Sequence, residues 1–538
     1  MNADSVYEAF TEAARAFGGR PFLRAPASST RLYAAGAVGW TYAEAAAEVE
    51  RLQTRYAGQG LQPGLRVAVA FDSRVDVYLH LLALNGLGVS LVPLNMGGTD
   101  HEIARLIEHS DCTLAVAAEL HAPRLRALPG QPAACRILSQ VEFDAGAAAD
   151  PVTVAGVAAR EAALLYTSGT TGHPKGCMLA NEYFLAMGRW YNNLDGRYAL
   201  TSRDRVLTPL PPHHMNALCT SFMGALMCGG CVVQLDRFHP SSWWQTVREE
   251  QATVIHYLGV MPAILLTLPP TDDDDVGDQV RFGFGAGCDP RHHGLFEQRF
   301  GFPLLEAWSM TETGAGGVTI ADKEPRHVGR RCIGRPPRSI EYRIVDEHGT
   351  EVVRGEPGEL QVRAGGAAPR KGFFSGYYKD EQATEAAWAG GWFHTGDVIR
   401  VGEDGSLYFV DRQKNIIRRS GENIAAVEVE AALLAHPAVR NCAVTAVPDE
   451  LRGEEVFAFV IPRERGTGND AAALVRHCLE RLSYFKAPGY VAFVDELPVT
   501  ASQKVNRAEV KMEARRRLEA GACIDLRNAK KRPRAKAG

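Results

Sequence analysis

Between Tyr166 and Gly176 the chain reads YTSGTTGHPKG, three glycines, four aliphatic hydroxyls and one lysine within a single short run. Glycines let a backbone turn tightly and bring its N–H groups close to a polyanion, hydroxyls add donors, and Lys175 adds positive charge. This chemistry suits the β- and γ-phosphates of a nucleotide, with Thr167, Ser168, Gly169, Thr170, Thr171, Gly172 and Lys175 as the contacting residues. The run is not a Walker A loop, because Pro174 stands five residues after Gly169, where that pattern requires glycine. Kinase-like and P-loop ATPase readings therefore fail on spacing. A plain Ser/Thr/Gly linker would not place a lysine between two apolar runs, AALLY (162–166) before the loop and CMLA (177–180) after it.

The elements that must hold such a loop follow from the alternation of short aliphatic runs with Ala-rich amphipathic stretches. RVAVAF (66–71), VYLHLLALNGLG (77–88) and VSLVPLN (89–95) read as strand, helix and strand, a βαβ unit with parallel strands. Around 340–411 the texture changes to short strands with turn signals, EYRIVDEHG, GELQVRAGG and VGEDGSLYFV, and an antiparallel module is expected. After Asp411 a strand, turn, helix and strand begin a further α+β region of about a hundred residues, an ordinary domain size. The fold class expected is α/β, with a large N-terminal domain of βαβ subdomains plus a β-rich module and a small mobile α+β C-terminal domain. The boundaries are 1–411 for the first and 412–520 for the second, with a short polar joint at Arg412–Lys414 and the hinge at Lys414. The remainder, 521–538, is basic and is expected to be a solvated, disordered tail.

At 538 residues the chain exceeds what one compact core organises, and its net charge of -4 gives no field of the kind that nucleic acids or membrane surfaces attract. Asp4, Glu8 and Glu12 occupy the place where a signal peptide is basic and then apolar, so a cytoplasmic location is expected. The longest uncharged stretch, Val206–Leu235, is interrupted by prolines, histidines and glycines and reads as buried core rather than a bilayer span. Eleven cysteines are scattered, and the single CxxC at Cys228–Cys231 lacks the second pair a zinc site needs. No nucleic-acid partner and no membrane span are expected.

Four further segments accompany the loop in order: Glu306–Gly314 (EAWSMTETG), Thr395-Gly396-Asp397, Val410–Glu430 (VDRQKNIIRRSGENIAAVEVE) and Pro498–Arg507 (PVTASQKVNR). With the loop, they make the sequence resemble the adenylate-forming superfamily of acyl- and aryl-CoA synthetases, luciferases and peptide-synthetase adenylation domains. The likeness runs from about residue 35 to about residue 515, and its texture is nearest to bacterial carnitine- and crotonobetaine-type CoA ligases. The resemblance implies ATP, Mg²⁺ and coenzyme A as co-substrates and cofactor. It places Gly285, Ala307 and Trp308 beside adenine, where an indole stacks as well as the family's usual tyrosine. It gives Thr311 to the α-phosphate and makes Glu312 the Mg²⁺ ligand, a carboxylate oxygen for a hard cation. Asp397 and Arg412 would hold the ribose. Lys504 would carry the first half-reaction by stabilising charge that builds on the α-phosphoryl group. Gln503 stands before it in place of the family's usual glycine.

Two reactions are implied: carboxylate and ATP give acyl-adenylate and pyrophosphate, and a thiol then displaces AMP. The small domain would turn about Lys414 between them and present Arg418, Ser420, Gly421 and Glu422 to the thiol substrate. The acyl pocket would be lined by His214, Asn216, Met261, Gly287, Thr313 and Gly314, with His214 closing over the carboxylate. Adenylation domains that take α-amino acids anchor the amino group with an aspartate near this gate. Here Asn216 stands there, and no acid lies between Asp204 and Asp236, which disfavours an amino-acid substrate. The expected activity is an acyl-CoA synthetase acting on a small or medium carboxylic acid, the alternative being an enzyme that loads a carrier-protein phosphopantetheine. A homodimer is compatible with the sequence.

Overall fold

The computed structural model describes residues 3–98, 100–129, 135–146, 161–167, 174–271, 274–419, 422–449, 452–464, 470–482, 484–499 and 505–530. Two compact units account for the chain. One comprises Met1–Arg343, Gln361–His394 and Val401–Tyr408, and the other Ile344–Leu360, Thr395–Arg400 and Phe409–Gly538. Both mix helices with sheets, as the alternating pattern predicts.

The first unit contains two large sheets. In one, the order is Gly376–Tyr377, Lys175–Ala180, Glu161–Thr167, Ser90–Pro93, Arg66–Ala70, Leu114–Ala117 and Arg136–Ser139. Arg66–Ala70 and Ser90–Pro93 run parallel with Val67 opposite Leu91, so the expected βαβ unit is present. Its crossover helix, Val77–Gly86, is buried from Val77 to Asn85 and has no polar face. A helix that is apolar all round is one enclosed by core, which is why this segment lacks an amphipathic stripe. In the second sheet the order is Thr319–Ile320, Leu304–Trp308, Phe282–Ala286, Val254–Leu258, Arg205–Thr208, Cys231–Gln234, Pro21–Ala25 and Val38–Thr41. Its six middle strands are parallel and the outer one at each edge is antiparallel. Leu304–Trp308 is buried at every position, the signature of a strand covered on both faces. The uncharged stretch from Val206 supplies two of these strands and the helix Phe222–Cys228 between them. No helix among the described residues is long and apolar enough to cross a membrane.

The β-rich stretch expected at 340–411 is present as strands Ile340–Val345, Pro357–Ala364, Phe393–Val401 and Leu407–Arg412, whose residues are apportioned between the two units.

In the second unit, Val439–Asp449 and Gly453–Pro462 pair antiparallel, and Tyr490–Phe493 adds parallel to the latter. Ile417, Ile424, Val429, Leu433, Val456 and Val491 form its core. Residues 521–530, which composition alone places in a disordered tail, belong to this unit. Ile524 pairs with Val491, and the Lys530 ammonium lies 2.6 Å from the Glu455 carboxylate, both side chains fully buried. Arg419 reaches the same carboxylate at 2.9 Å. Burial pulls the Lys530 ammonium down to about 8, against the opposing pull of Glu455. Local composition cannot reveal a buried acid with room for a second cation, which is why this segment reads as solvated. Residues 531–538 lie outside the described residues.

Because Glu455 is the one carboxylate that both buried cations pair with among the described residues, Glu455→Ala leaves both without a counter-charge. The expected loss is about 3–5 kcal/mol of stability for this unit, read by chemical denaturation. A loss below about 1 kcal/mol, the range of exposed pairs, would show that this ionic cluster is solvated.

Candidate active site

Strands Glu161–Thr167 and Lys175–Ala180 are antiparallel neighbours with Tyr166 opposite Gly176 and Thr167 opposite Lys175. The glycine-rich run is therefore the connection of a hairpin whose rims are Thr167 and Lys175. Ser168, Gly169, Thr170, Thr171 and Gly172 lie outside the described residues.

At one rim, the Thr167 hydroxyl donates to the Glu312 carboxylate at 3.4 Å. The Tyr377 hydroxyl donates to the same oxygen at 3.1 Å. At the other rim the Lys175 ammonium sits 4.6 Å from the centre of the Tyr377 ring, a cation–π distance. One tyrosine thus touches both the lysine and the carboxylate. Pattern reading missed it: in GYYKDEQAT, Tyr377 looks like an ordinary strand aromatic, and only its pairing opposite Cys177 brings it to the loop.

Glu312 is 6 % exposed, and among the described residues no lysine or arginine pairs with it. A buried carboxylate held by two hydroxyl donors and no cation keeps lone pairs for a hard divalent ion, so the donor set fits Mg²⁺. The turn that carries it is fixed by Thr313, whose hydroxyl accepts from the Met310 N–H at 2.9 Å, and by Tyr183, which donates to the Thr311 carbonyl at 2.9 Å. Gly314 closes the turn at φ +46°, and a Cβ there would stand 2.3 Å from the Tyr183 ring. Only glycine fits.

Upstream lies strand Leu304–Trp308. Ala307 and Trp308 are 8 % and 5 % exposed. Glu306, which sequence reasoning passed over, is fully enclosed. Its carboxylate accepts from the Tyr257 hydroxyl at 2.5 Å and from the backbone N–H groups of Gly287 at 2.8 Å and Cys288 at 3.1 Å. Burial raises its pKa, and these donors oppose the rise. The carboxylate fastens the loop after strand Phe282–Ala286 to the neighbouring strand. The only available signal was an acid inside an otherwise apolar run. Gly285 lies against Tyr257, where a Cβ would meet the Tyr257 carbonyl at 2.3 Å. Gly259 approaches Gly287 so closely that a Cβ would meet the Gly287 carbonyl at 1.7 Å. The strand ends here are drawn together more tightly than any side chain permits.

His213 and His214 follow strand Arg205–Thr208, their rings 4.5 Å apart. Burial, and then the neighbouring His214, pull His213 down to about 3, so it is neutral at ordinary pH. His214 is exposed. Asn216 opens a π-helical turn, Asn216–Ser221. Met261 is 3 % exposed and packs with Trp243, Ile255, Tyr257 and Phe296 in an apolar cluster.

In the second unit, Asp397 is buried and its carboxylate lies 3.2 Å from the Arg412 guanidinium. Its N–H donates to the Thr395 hydroxyl, which itself donates to the Leu360 carbonyl at 2.6 Å. Asp411 accepts from the Arg412 N–H at 2.7 Å and from the Asn415 amide at 3.2 Å, bracing the turn that contains Lys414. Strands Ile416–Arg419 and Glu422–Ala425 form a hairpin that includes Arg418 and Glu422, while Ser420 and Gly421 at its tip lie outside the described residues. Lys504 and Gln503 do too. The segment that carries them is flanked by an antiparallel bridge between Val499 and Val505.

Comparison with known proteins agrees with this arrangement. Residues 10–378 match the AMP-binding enzyme family and residues 428–504 its C-terminal domain. The chain is 32% identical over 515 residues to a sulfoacetate–CoA ligase of Cupriavidus necator, spanning 91% of this chain and 94% of that one. It is 30% identical over 489 residues to a crotonobetaine/carnitine–CoA ligase of Salmonella typhi, 88% and 93% covered. The o-succinylbenzoate CoA synthetase of Bacillus subtilis, solved with its acyl-adenylate intermediate, superposes with a TM-score of 0.80 at 26% identity, over 94% of this chain and 97% of that one. The chain is a member of the AMP-binding enzyme family, in its acyl-CoA synthetase branch of acid–thiol ligases.

Proposed function

We propose that this protein is an ATP-dependent acyl-CoA synthetase that activates a small or medium carboxylic acid through an acyl-adenylate. The observation that carries the reading is the buried Glu312 carboxylate at the Thr167 rim of the hairpin, engaged by the hydroxyls of Thr167 and Tyr377 and, among the described residues, by no lysine or arginine. Relatives named as CoA ligases along nearly the whole chain support the thiol acceptor.

In the first step a carboxylate oxygen attacks the α-phosphorus of ATP, the bond to the bridging oxygen breaks, and pyrophosphate leaves. Lys175 and the run Thr167–Gly172 hold the departing β- and γ-phosphates. Glu312 would hold Mg²⁺, which supplies charge neutralisation on the phosphates, and Tyr377 keeps the carboxylate oriented. Thr311 contacts the α-phosphate. Ala307, Trp308 and Gly285 lie along the adenine, and Asp397 with Arg412 takes the ribose. Lys504 places its ammonium on the α-phosphoryl group as negative charge builds there. In the second step the thiolate of coenzyme A attacks the acyl carbon, the carbon–oxygen bond to AMP breaks, and AMP departs. Arg418, Ser420, Gly421 and Glu422 face the thiol substrate in this step. The functional domains are then 1–411 and 412–520, the latter extended by residues 521–530, turning about Lys414. His214 closes over the acid, whose pocket includes Asn216, Met261, Gly287, Thr313 and Gly314. All eleven cysteines are free thiols, as a cytoplasmic enzyme's would be.

The test is pyrophosphate release across a panel of carboxylic acids, with and without coenzyme A. Acid-dependent release that yields free acyl-CoA only when coenzyme A is added is the expected result. Release that yields thioester only with a phosphopantetheinylated carrier protein would overturn the acceptor assignment, and no acid-dependent release would overturn the reading as a whole. Lys504→Ala is expected to lower acyl-adenylate formation about a hundred- to a thousandfold. The same variant should still convert preformed acyl-adenylate to thioester. Equal loss in both half-reactions, measured by single turnover, would remove Lys504 from its assigned step.

A further inference from the structure

The buried ionic cluster of the second unit has no part in the reaction scheme, yet it sits at the foot of the hairpin assigned above to the thiol substrate. Strands Ile416–Arg419 and Glu422–Ala425 pair with each other, and the first also meets strand Gly453–Pro462, with Arg419 opposite Gly453. A two-stranded hairpin is marginally stable at best by itself, so other contacts must fix where it stands. Ile417 and Ile424 seat its base in the apolar core. Toward the tip the anchor is ionic. Arg419 is 4 % exposed, and its Nε–H donates to both oxygens of Glu455, at 2.9 and 3.0 Å. Arg419 is the last residue before Ser420 and Gly421, so whatever orients it orients the end of the strand that carries the tip.

Glu455 is itself held from behind. Its carboxylate accepts from the Val456 N–H at 2.9 Å and from the Lys530 ammonium at 2.6 Å, and Lys530 also donates to the Phe485 carbonyl at 3.4 Å. A Cβ on Gly489 would stand 2.5 Å from the Glu455 side chain, so a glycine makes room for this carboxylate. Lys530 is delivered by a segment with its own attachments. Ile524 pairs with Val491, the Leu526 N–H donates to the Gly489 carbonyl at 2.8 Å, and the Arg527 guanidinium lies 3.1 Å from Asp449 and 4.9 Å from the centre of the Tyr490 ring. Burying two cations on one carboxylate is a poor way to gain stability, because apolar side chains of similar volume often do as well or better. What the cluster supplies is direction. Lys530 settles which way the carboxylate faces, and the carboxylate settles Arg419.

We propose that Lys530, acting through Glu455 and Arg419, is a positioning residue for the second half-reaction, and that residues 524–530 are the strut that holds the hairpin of Arg418, Ser420, Gly421 and Glu422 where it meets the thiol substrate. The proposal rests on the acyl-CoA synthetase reading and deepens it. The first half-reaction draws on a different anchor in the same unit. The segment of Lys504 is closed by the Val499–Val505 bridge and followed by Arg507, whose guanidinium bonds Glu430 at 2.8 Å. Each step thus has its own buried carboxylate, and loss of Lys530 touches only one of them.

The experiment uses the full chain and reads the two steps apart: acid-dependent ATP–pyrophosphate exchange for the first, and single-turnover conversion of preformed acyl-adenylate by coenzyme A for the second. Lys530→Met keeps an unbranched side chain of similar length and leaves Glu455 paired with Arg419, so no buried charge is stranded. It should slow the thiol step about ten- to a hundredfold at saturating coenzyme A, the cost of a misplacement approaching 1 Å, while exchange stays within about twofold of wild type. Its urea midpoint should stay close to that of wild type. Arg419→Lys keeps a cation on Glu455 but loses the Nε–H, and should show the same split. The double variant should be no slower than the slower single one, because both act through one carboxylate. The proposal is overturned if Lys530→Met leaves the thiol step unchanged, or if the two single losses multiply in the double variant. Equal slowing of both steps also overturns it, since Lys504 lies in the same unit and a general loosening would reach both. If Lys530→Met does not fold, Arg419→Lys decides by the same split. A wild type without exchange on any acid fails the synthetase reading, and exchange without thiolysis fails its acceptor; both are distinct from equal loss in a variant.

Discussion

A buried carboxylate that, among the described residues, meets no lysine or arginine is the constraint on which the rest of the site depends. Glu312 is removed from water, its carboxylate accepts from the hydroxyls of Thr167 and Tyr377, and among the described residues no lysine or arginine pairs with it. Taking an anion out of water costs several kcal/mol even after the protein relaxes, and two neutral donors recover only part of that. The arrangement becomes favourable when positive charge arrives, and a nucleotide accompanied by a divalent cation brings it. Three segments far apart in the chain must converge for this: the end of strand Glu161–Thr167, the turn after Leu304–Trp308, and the short strand Gly376–Tyr377. The sheet that pairs Tyr377 with Cys177 is what makes the convergence possible.

Around that centre the backbone is shaped by what cannot be tolerated. Gly259 against Gly287, Gly285 against Tyr257, and Gly314 against Tyr183 all stand at distances that exclude a Cβ. Glu306 then ties the loop at Gly287 and Cys288 to Tyr257, so that one carboxylate joins the ends of three parallel strands. A site that must separate acid, nucleotide and departing pyrophosphate needs such rigid walls, because misplacement by about 1 Å can cost a hundredfold in rate.

The alternating aliphatic runs, the β-rich stretch and the glycine-rich loop could all be read from the amino-acid sequence, because each is a local pattern. Asp397 and Arg412 also stood out, and the two side chains do meet. What could not be read depends on contacts across long separations. Tyr377 is sixty-five residues from Glu312. His256 looks like any strand residue until Asn216, Ser221 and Tyr191 surround it. Lys530 lies in a basic run that reads as solvated until Glu455, seventy-five residues earlier, is found buried beneath it. Trp308 satisfies a motif and a core at once, and periodicity cannot separate the two roles.

The claim at the centre is that the acid attacks the α-phosphorus while the hairpin retains the pyrophosphate. Carrying ¹⁸O in both carboxylate oxygens of an acid that the enzyme turns over, followed by mass analysis of the products, tests it most directly. Attack at the α-phosphorus leaves one carboxylate oxygen bridging the acyl group and AMP, so thiolysis at the acyl carbon must release AMP bearing a single ¹⁸O and pyrophosphate bearing none. Label in pyrophosphate or inorganic phosphate, with unlabelled AMP or ADP, would place the attack at another phosphorus and contradict the account.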